Sequence, residues 1–195
     1  MIGIDLSERL LAVARELHGD LEIEWRQGSA QRLQMEDDSI DIVVLHTLVS
    51  HVPDTVAVLR EARRVLKPGG SLVVFDADYA STIYGYPDFL KGREYDHRLL
   101  GAVASNIDVC RQMPRYLREA GFSLETHRGY VISEAGEGDF WLSSVKGFAK
   151  LIPSLGILPK DEGEEWVRSM LDSHERGAFF ASGNYYTFIA KPGAE

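Results

Sequence analysis

Polar side chains that could bind a ligand follow three hydrophobic runs of the sequence. Asp5 follows the first run, His46 and His51 flank the segment after the second, and Asp76 and Asp78 follow the third. The carboxyl ends of parallel strands meet at one edge of an open α/β sheet, and ligands bind in the crevice outside that edge. We therefore expect these side chains to face one crevice.

An acid at the end of a strand is suited to holding a nucleotide. Asp5 could accept hydrogen bonds from both hydroxyls of a ribose, which is why nucleotide-binding folds place an acid there. The same residue could instead serve the helix that begins near Ser7, because acids stabilise helix N-termini. On Asp5 alone, the two interpretations have about equal weight.

Hydrophobic runs alternate with amphipathic patterns along the chain, which is typical of an α/β fold with helices on both faces of a sheet. The unbroken apolar run at 40–45 predicts a central strand buried on both faces. Periodicity fails over 77–95, where tyrosines cluster, so we predict a lid or substrate insertion over 77–110. Residues 134–178 are predicted to be a helical segment on the substrate side of a single domain, 1–195.

Composition excludes several classes of function. The net charge of -9 would repel nucleic acid, and the basic cluster from Arg60 to Lys67 is interrupted by Glu61, as on a solvated helix face. The single cysteine, Cys110, excludes an internal disulfide and a multi-cysteine zinc site, and we expect it to be buried. Without an apolar stretch of roughly 18 residues or a signal-like N-terminus, we predict a cytoplasmic protein with no metal and no membrane span.

Five short motifs follow one another along the first 74 residues: GIDLS at 3–7, GSA at 28–30, SIDIVV at 39–44, HVPD at 51–54 and RVLKPGGSLVV at 64–74. This order resembles the class I S-adenosylmethionine-dependent methyltransferases, in the type 11 branch that includes quinone-biosynthesis enzymes. The resemblance covers roughly residues 1–78, and LREAGF at 117–122 adds to it. It implies a Rossmann-like, mostly parallel twisted sheet with an antiparallel strand near the C-terminus.

The resemblance also implies which residues hold the cofactor S-adenosylmethionine and its product S-adenosylhomocysteine. Asp5 would hold the ribose, and Leu6 would pack on the adenine. Ser29 stands where the family usually has an acid, which weakens the contact with the adenine amino group. The other implied contacts are Ala30 beside the adenine, and His46 and Thr47 beside the sulfonium.

Methyl transfer mainly requires alignment of the nucleophile with the methyl group and exclusion of water. A general base could assist, and His51 is the first candidate, followed by His97 and Tyr84. Structural roles for His46 and His51 have comparable weight. The aromatic residues suggest a small-molecule acceptor of partly apolar, ring-containing character.

The family's first strand and glycine-rich loop have no counterpart in this sequence, because Met1 stands where the second strand would begin. Loss of that strand would leave a gap between the strands ending near Asp5 and Leu45. We favour a fragment of a longer protein. The alternatives are an N-terminal part outside the printed sequence, closure of the neighbouring strands, or a strand borrowed from a partner, as in a homodimer.

Two other functions stay open. The chain could be a degenerate, non-catalytic module for dimerisation or partner binding, which the absent glycine loop and Ser29 favour. It could also be a nicotinamide-dependent oxidoreductase, which places an acid after its second strand as well. The motifs at 51–54 and 67–70 favour the methyltransferase over that oxidoreductase.

Overall fold

The protein forms two separate sheets in a computed structural model that describes residues 1–193. The smaller sheet pairs β1 (Ile2–Asp5) in parallel with β2 (Glu24–Gln27), and α1 (Glu8–Leu17) connects the two strands. The Ser7 hydroxyl caps α1 by accepting a hydrogen bond from the backbone N–H of Leu10. The predicted strand ending at Asp5 and the helix beginning near Ser7 are thus confirmed.

The larger sheet has four strands in the order β3 (Ile40–His46), β4 (Leu66–Tyr84), β6 (Phe179–Pro192) and β5 (Phe122–Gly136). β3 and β4 are parallel, whereas β6 is antiparallel to both of its neighbours. The C-terminal strand is therefore the antiparallel one, as predicted. The prediction of an α/β, Rossmann-like fold is confirmed.

One face of the larger sheet packs against α2 (Thr55–Val65) and α4 (Val109–Glu119). Leu59 of α2 and Leu117 of α4 are fully buried in this first core. Cys110 also lies there, as predicted, and burial raises the pKa of its thiol to about 12. The cysteine therefore contributes to packing, as a small apolar residue does.

A second core lies along the carboxyl-terminal half of β4 and is built largely by helices. These are α3 (Phe89–Val103), α5 (Phe140–Leu155) and α6 (Lys160–Glu175). Trp166 of α6 is fully buried at its centre. Within residues 1–193, no helix combines the length and the apolar character needed to cross a membrane.

β3 is less buried than its apolar sequence predicts. Ile42 and Val44 are 61% and 59% exposed, so the prediction of a strand buried on both faces is wrong. The physical reason is that β3 forms the edge of the larger sheet and pairs only with β4 in the described part of the chain. An apolar sequence allows a strand to be buried, but it does not determine which strands and helices pack around it.

The two sheets are separated by a break between β1 and β3. In residues 1–193, β1 pairs only with β2, so one backbone edge of β1 and one edge of β3 lack a ladder partner. This break lies where the sequence analysis places the absent first strand, between the strands ending near Asp5 and Leu45. The observed topology agrees with that expectation.

The segment with broken periodicity is more regular than predicted. β4 continues through residues 77–84, and α3 begins at Phe89. Tyr84 and Tyr95 are 5% and 1% exposed and belong to the second core. The clustering of tyrosines in this stretch therefore partly reflects core packing, and the role of residues 77–110 as a lid stays a prediction.

Arg64 of α2 fastens the loop that leads from the smaller sheet into β3. Its guanidinium donates hydrogen bonds to the carbonyl oxygens of Met35 at 2.9 Å and Leu33 at 3.2 Å. It also pairs with Glu61 at 2.7 Å and with Asp37. The bond from Arg64 lowers the pKa of the Glu61 carboxyl. This side chain thus ties the loop between the two sheets to α2.

Replacement of Arg64 by methionine is expected to lower the free energy of unfolding by about 2 kcal/mol, because carbonyl and carboxylate groups lose their donor. Urea denaturation at pH 7 measures this loss. Since the pKa of Glu61 is lowered in the folded state from 4.5, the pair contributes fully above that pH and progressively less as the pH falls through the lowered value. Arg60→Met is the control, because Arg60 only meets the exposed Glu119 at 3.4 Å. Equal losses of stability in the two variants would contradict this role of Arg64.

Candidate functional site

Asp5 lies at the carboxyl end of β1 with one carboxylate oxygen engaged. The backbone N–H of Ser7 donates to its Oδ1 at 2.7 Å, and no donor in residues 1–193 bonds the other oxygen. The side chain is half-buried, and the neighbouring Leu6 is 69% exposed. Asp5 therefore stabilises the start of α1 with one oxygen and leaves the other oxygen for a ligand hydroxyl. The exposed side chain of Leu6 lies beside it and could pack on a ring of the ligand.

Ser29 and Ala30 follow β2 on the same side of the smaller sheet. The Ser29 hydroxyl accepts a hydrogen bond from the backbone N–H of Gln31 at 3.2 Å, and Ala30 packs against the first core. A pocket of about 30 Å³ beside them is lined by residues that include Ile4, Ser29 and Arg32. That volume holds about two water-sized groups, so an adenine ring would lie over this surface and not inside it.

His46 and Thr47 lie at the end of β3, next to β4. The His46 ring stacks on Phe75 with 4.9 Å between the ring centroids. Thr47 has a φ of 46° and donates its backbone N–H to the Phe75 carbonyl oxygen at 2.7 Å. A left-handed conformation is strained for a β-branched residue, and such strain of about 1 to 3 kcal/mol is concentrated at functional sites.

Asp76 anchors the loop that carries His51. Its fully buried carboxylate accepts hydrogen bonds from the Ser50 backbone N–H at 3.1 Å, the Ser50 hydroxyl at 2.8 Å and the Ala77 backbone N–H at 2.8 Å. The nearby Asp78 is also buried, and its carboxylate accepts bidentate hydrogen bonds from the Arg111 guanidinium at 3.0 to 3.1 Å. Both acids are thus bound by protein donors, and their role is to hold the loop and α4 in place.

His51 meets an aromatic partner that the sequence analysis did not select. Its Nε2 lies 3.3 Å from the Tyr79 hydroxyl, and the two rings meet edge to face at 5.8 Å. Burial raises the pKa of Tyr79 to about 12. The phenol is therefore protonated at neutral pH, and it can donate to Nε2 in the His51 tautomer that carries its proton on Nδ1.

The other two predicted bases lie in different surroundings. His97 is an exposed residue of α3 and lines a small pocket together with Tyr79. Tyr84 instead packs edge to face against Trp141, Phe148 and Trp166 in the second core. Tyr79 thus connects His51 with the pocket beside His97, whereas Tyr84 is remote from solvent.

Asp96 is a further polar residue that the sequence analysis missed. It lines the same pocket and is only 3% exposed. In sequence it is one acid among several in a polar helix, so no spacing rule distinguishes it. Tyr79 could have been noticed as the aromatic residue directly after the Asp76 and Asp78 strand end.

Comparison with known proteins assigns the amino-terminal part of this arrangement. Residues 1–74 match the model of a family described as a methyltransferase domain. Over 137 residues the chain is 34% identical to the demethylmenaquinone methyltransferase of Staphylococcus aureus strain JH9, covering 62% of this chain and 56% of that protein. These matches confirm the predicted resemblance to class I S-adenosylmethionine-dependent methyltransferases. The matched residues span β1 to β4 and therefore include Asp5, Ser29, His46 and His51.

Solved structures share the fold beyond the matched region. A putative methyltransferase from Bacillus halodurans superposes with a TM-score of 0.67 at 19% identity and covers 99% of this chain and 83% of its own. The YcgJ protein of Bacillus subtilis gives a TM-score of 0.63 at 18% identity, with 99% and 82% coverage. At these identities the likeness concerns the fold alone. It extends the methyltransferase architecture over the C-terminal helices and strands.

One sequence match extends over nearly the whole chain and is to a protein of unstated activity. Over 194 residues the chain is 32% identical to an uncharacterized 37.1 kDa protein in transposon Tn4556 of Streptomyces fradiae. That match covers 98% of this chain and 55% of the relative. The chain therefore spans about half the length of this curated relative and 56% of the S. aureus enzyme.

Proposed function

We propose that the protein transfers a methyl group from S-adenosylmethionine to a small-molecule acceptor. The observation that carries this proposal is the half-satisfied carboxylate of Asp5, which lies at a strand end inside the residues that match the methyltransferase family. One of its oxygens is held by Ser7, so the other is oriented and available to a ribose hydroxyl.

When bound, the cofactor supplies a methyl group on a good leaving group, so the protein mainly binds, orients and excludes water. Asp5 would hold the ribose, and the exposed Leu6 would cover one side of the adenine. His46, stacked on Phe75, and the strained Thr47 would form the wall beside the sulfonium. Ser29 offers a hydroxyl in place of a carboxylate, so we expect a weaker contact with the adenine amino group.

Proton removal from the acceptor is assigned to His51 with Tyr79. An acceptor hydroxyl or amine that hydrogen-bonds to the Tyr79 oxygen could pass its proton to that oxygen while Tyr79 passes its own to Nε2 of His51. The high pKa of Tyr79 keeps the phenol protonated before this transfer. His97 is retained as an alternative base because it lines the neighbouring pocket.

A small, partly apolar acceptor is supported by the relatives and by the surface near α3. Two named relatives are quinone methyltransferases: the S. aureus enzyme and a 2-phytyl-1,4-naphtoquinone methyltransferase of Synechococcus elongatus, 41% identical over 80 residues. The latter match covers 39% of this chain and 34% of that enzyme. Phe89 and Leu90 in the first turn of α3 are 74% and 77% exposed, which offers apolar surface to a ring.

Calorimetric titration of the folded chain with S-adenosylhomocysteine tests the proposal without knowledge of the acceptor. A dissociation constant in the micromolar range would support it and justify a screen of acceptors. Absence of binding by a folded sample would contradict it for this chain and favour a non-catalytic module. The reduced-nicotinamide cofactor serves as the comparison ligand and is expected not to bind.

Replacement of Asp5 by alanine is expected to weaken S-adenosylhomocysteine binding about 10- to 100-fold, because charge-assisted hydrogen bonds to the ribose are lost. The same titration measures this change. Asp20→Ala is the matched control, since Asp20 is an exposed acid beyond α1 and should leave the affinity unchanged. Unchanged affinity in the Asp5 variant would remove Asp5 from the ribose role.

A further inference from the structure

A small pocket lies between the second half of β4 and α3. Tyr79 and Thr82 line it from the strand, and Arg93, Asp96 and His97 line it from the helix. Its volume is about 50 Å³. Such a space accommodates one small substituent of a few atoms, whereas a complete organic ligand needs several hundred Å³.

Asp96 lines this space with a buried side chain, one oxygen of which lacks a hydrogen-bond partner within residues 1–193. The residue is 3% exposed, and its Oδ1 has no hydrogen-bond partner in the described residues. A buried carboxylate oxygen without a donor is unfavourable and rare in folded proteins. Burial raises the pKa of Asp96 to about 7, with the Tyr84 backbone N–H and Arg93 only partly opposing the rise. A donor group entering the pocket would supply the missing partner.

A primary ammonium group suits these surroundings best. It brings several N–H donors and the positive charge that a buried carboxylate lacks, in a volume that the pocket can hold. Arg93 of the same helix also lines the pocket, but it is exposed and forms no hydrogen bond with Oδ1 of Asp96. The charge of Arg93 lowers the pKa of Asp96 less than burial raises it, so the carboxylate can still gain from a donor in the pocket.

The position of the pocket links it to the predicted reaction centre. Tyr79 lines the pocket, and its hydroxyl lies 3.3 Å from Nε2 of His51. We propose that this pocket is an anchoring subsite for the methyl acceptor, in which Asp96 binds an ammonium group of that molecule. The remainder of the acceptor would extend from the pocket past Tyr79. The assignment as an acceptor subsite rests on the proposed methyltransferase function, whereas the binding of an ammonium group by Asp96 does not.

Methylammonium is the probe that tests this site, followed by amide chemical shifts in NMR spectra of the whole chain at pH 8. We expect saturable shifts for residues around the pocket, such as Ala80 and His97, with a dissociation constant on the order of 10 mM, as befits a ligand of two heavy atoms. The Asp96→Asn variant should bind at least tenfold more weakly. Tetramethylammonium, which has the charge but no N–H, and sodium chloride should not give saturable shifts.

Equal methylammonium binding by the wild-type and Asp96→Asn proteins, or no saturable shift in the wild type, would overturn the proposal. If Asp96 were only structural, methylammonium would cause no saturable amide shifts that disappear in the Asp96→Asn variant. The S-adenosylhomocysteine titration separates this site from the proposed function. If that titration fails while methylammonium binds through Asp96, the ammonium site stands and its role as an acceptor subsite falls.

Discussion

Replacement of Asp96 by asparagine is expected to stabilise the folded protein at pH 8 by on the order of 4 kcal/mol, and at pH 5 by only about 1 to 2 kcal/mol. Burial raises the pKa of this carboxyl from 3.8 to about 7, because its charged form is poorly solvated. The folded state thus holds a proton that the unfolded chain has already released. Stability is therefore lost as the pH rises from about 4 to 7, and asparagine removes that loss.

Urea denaturation of both proteins at pH 5, 6, 7 and 8 measures this effect as a difference that grows with pH. The control is Asp20→Asn, an exposed aspartate whose replacement should leave stability within about 0.5 kcal/mol at each pH. A difference between the Asp96 variant and the wild type that stays constant from pH 5 to 8 would contradict a buried acid. The same series confirms that the variant used for methylammonium binding is folded.

Local sequence signals predicted the elements that position the cofactor side of the site. Ser7 caps α1, and Gly121 adopts a φ of 80° directly after α4, in the left-handed region that favours glycine at a helix end. Both features depend on a few consecutive residues. The strand end at Asp5 follows from the same kind of local pattern, which is why the predicted position of the acid agrees with the fold.

Properties that depend on neighbours distant in sequence were not predictable in this way. Ile42 and Val44 have a buried-strand pattern and are exposed, because burial depends on whether another element covers them. Tyr79 meets His51 across 28 residues of sequence, which no spacing rule encodes. The buried state of Asp96 likewise arises from packing of α3 on β4, and a helix pattern does not distinguish it from an exposed acid.

The three predicted bases could each act in catalysis by chemical type, but packing places them in different surroundings. His51, His97 and Tyr84 each carry a group that can move a proton. The fold places Tyr79 between the two histidines, whereas Tyr84 is enclosed by tryptophan and phenylalanine rings. Burial raises the pKa of Tyr84 well above its usual value, which suits a packing role more than proton transfer.

Replacement of Asp76 by alanine is expected to lower the free energy of unfolding by about 3 kcal/mol. The buried carboxylate serves three donors, two from Ser50 and one from Ala77, and each would be left without an acceptor in a place that water does not reach. The loop that carries His51 would then lose its anchor to β4. Urea denaturation measures the loss in stability, and the NMR signals of the His51 and Tyr79 rings report whether their contact persists.

Ser50→Ala is the matched control, because it removes one hydrogen bond and leaves the backbone N–H of residue 50 bound to Asp76. Its expected cost is about 1 kcal/mol, with the His51 and Tyr79 contact preserved. If the Asp76 and Ser50 variants lose the same stability, the carboxylate contributes only through the hydroxyl and does not fix the loop. A larger loss in Asp76→Ala, together with altered His51 signals, would instead identify Asp76 as the residue through which β4 sets the position of the predicted base.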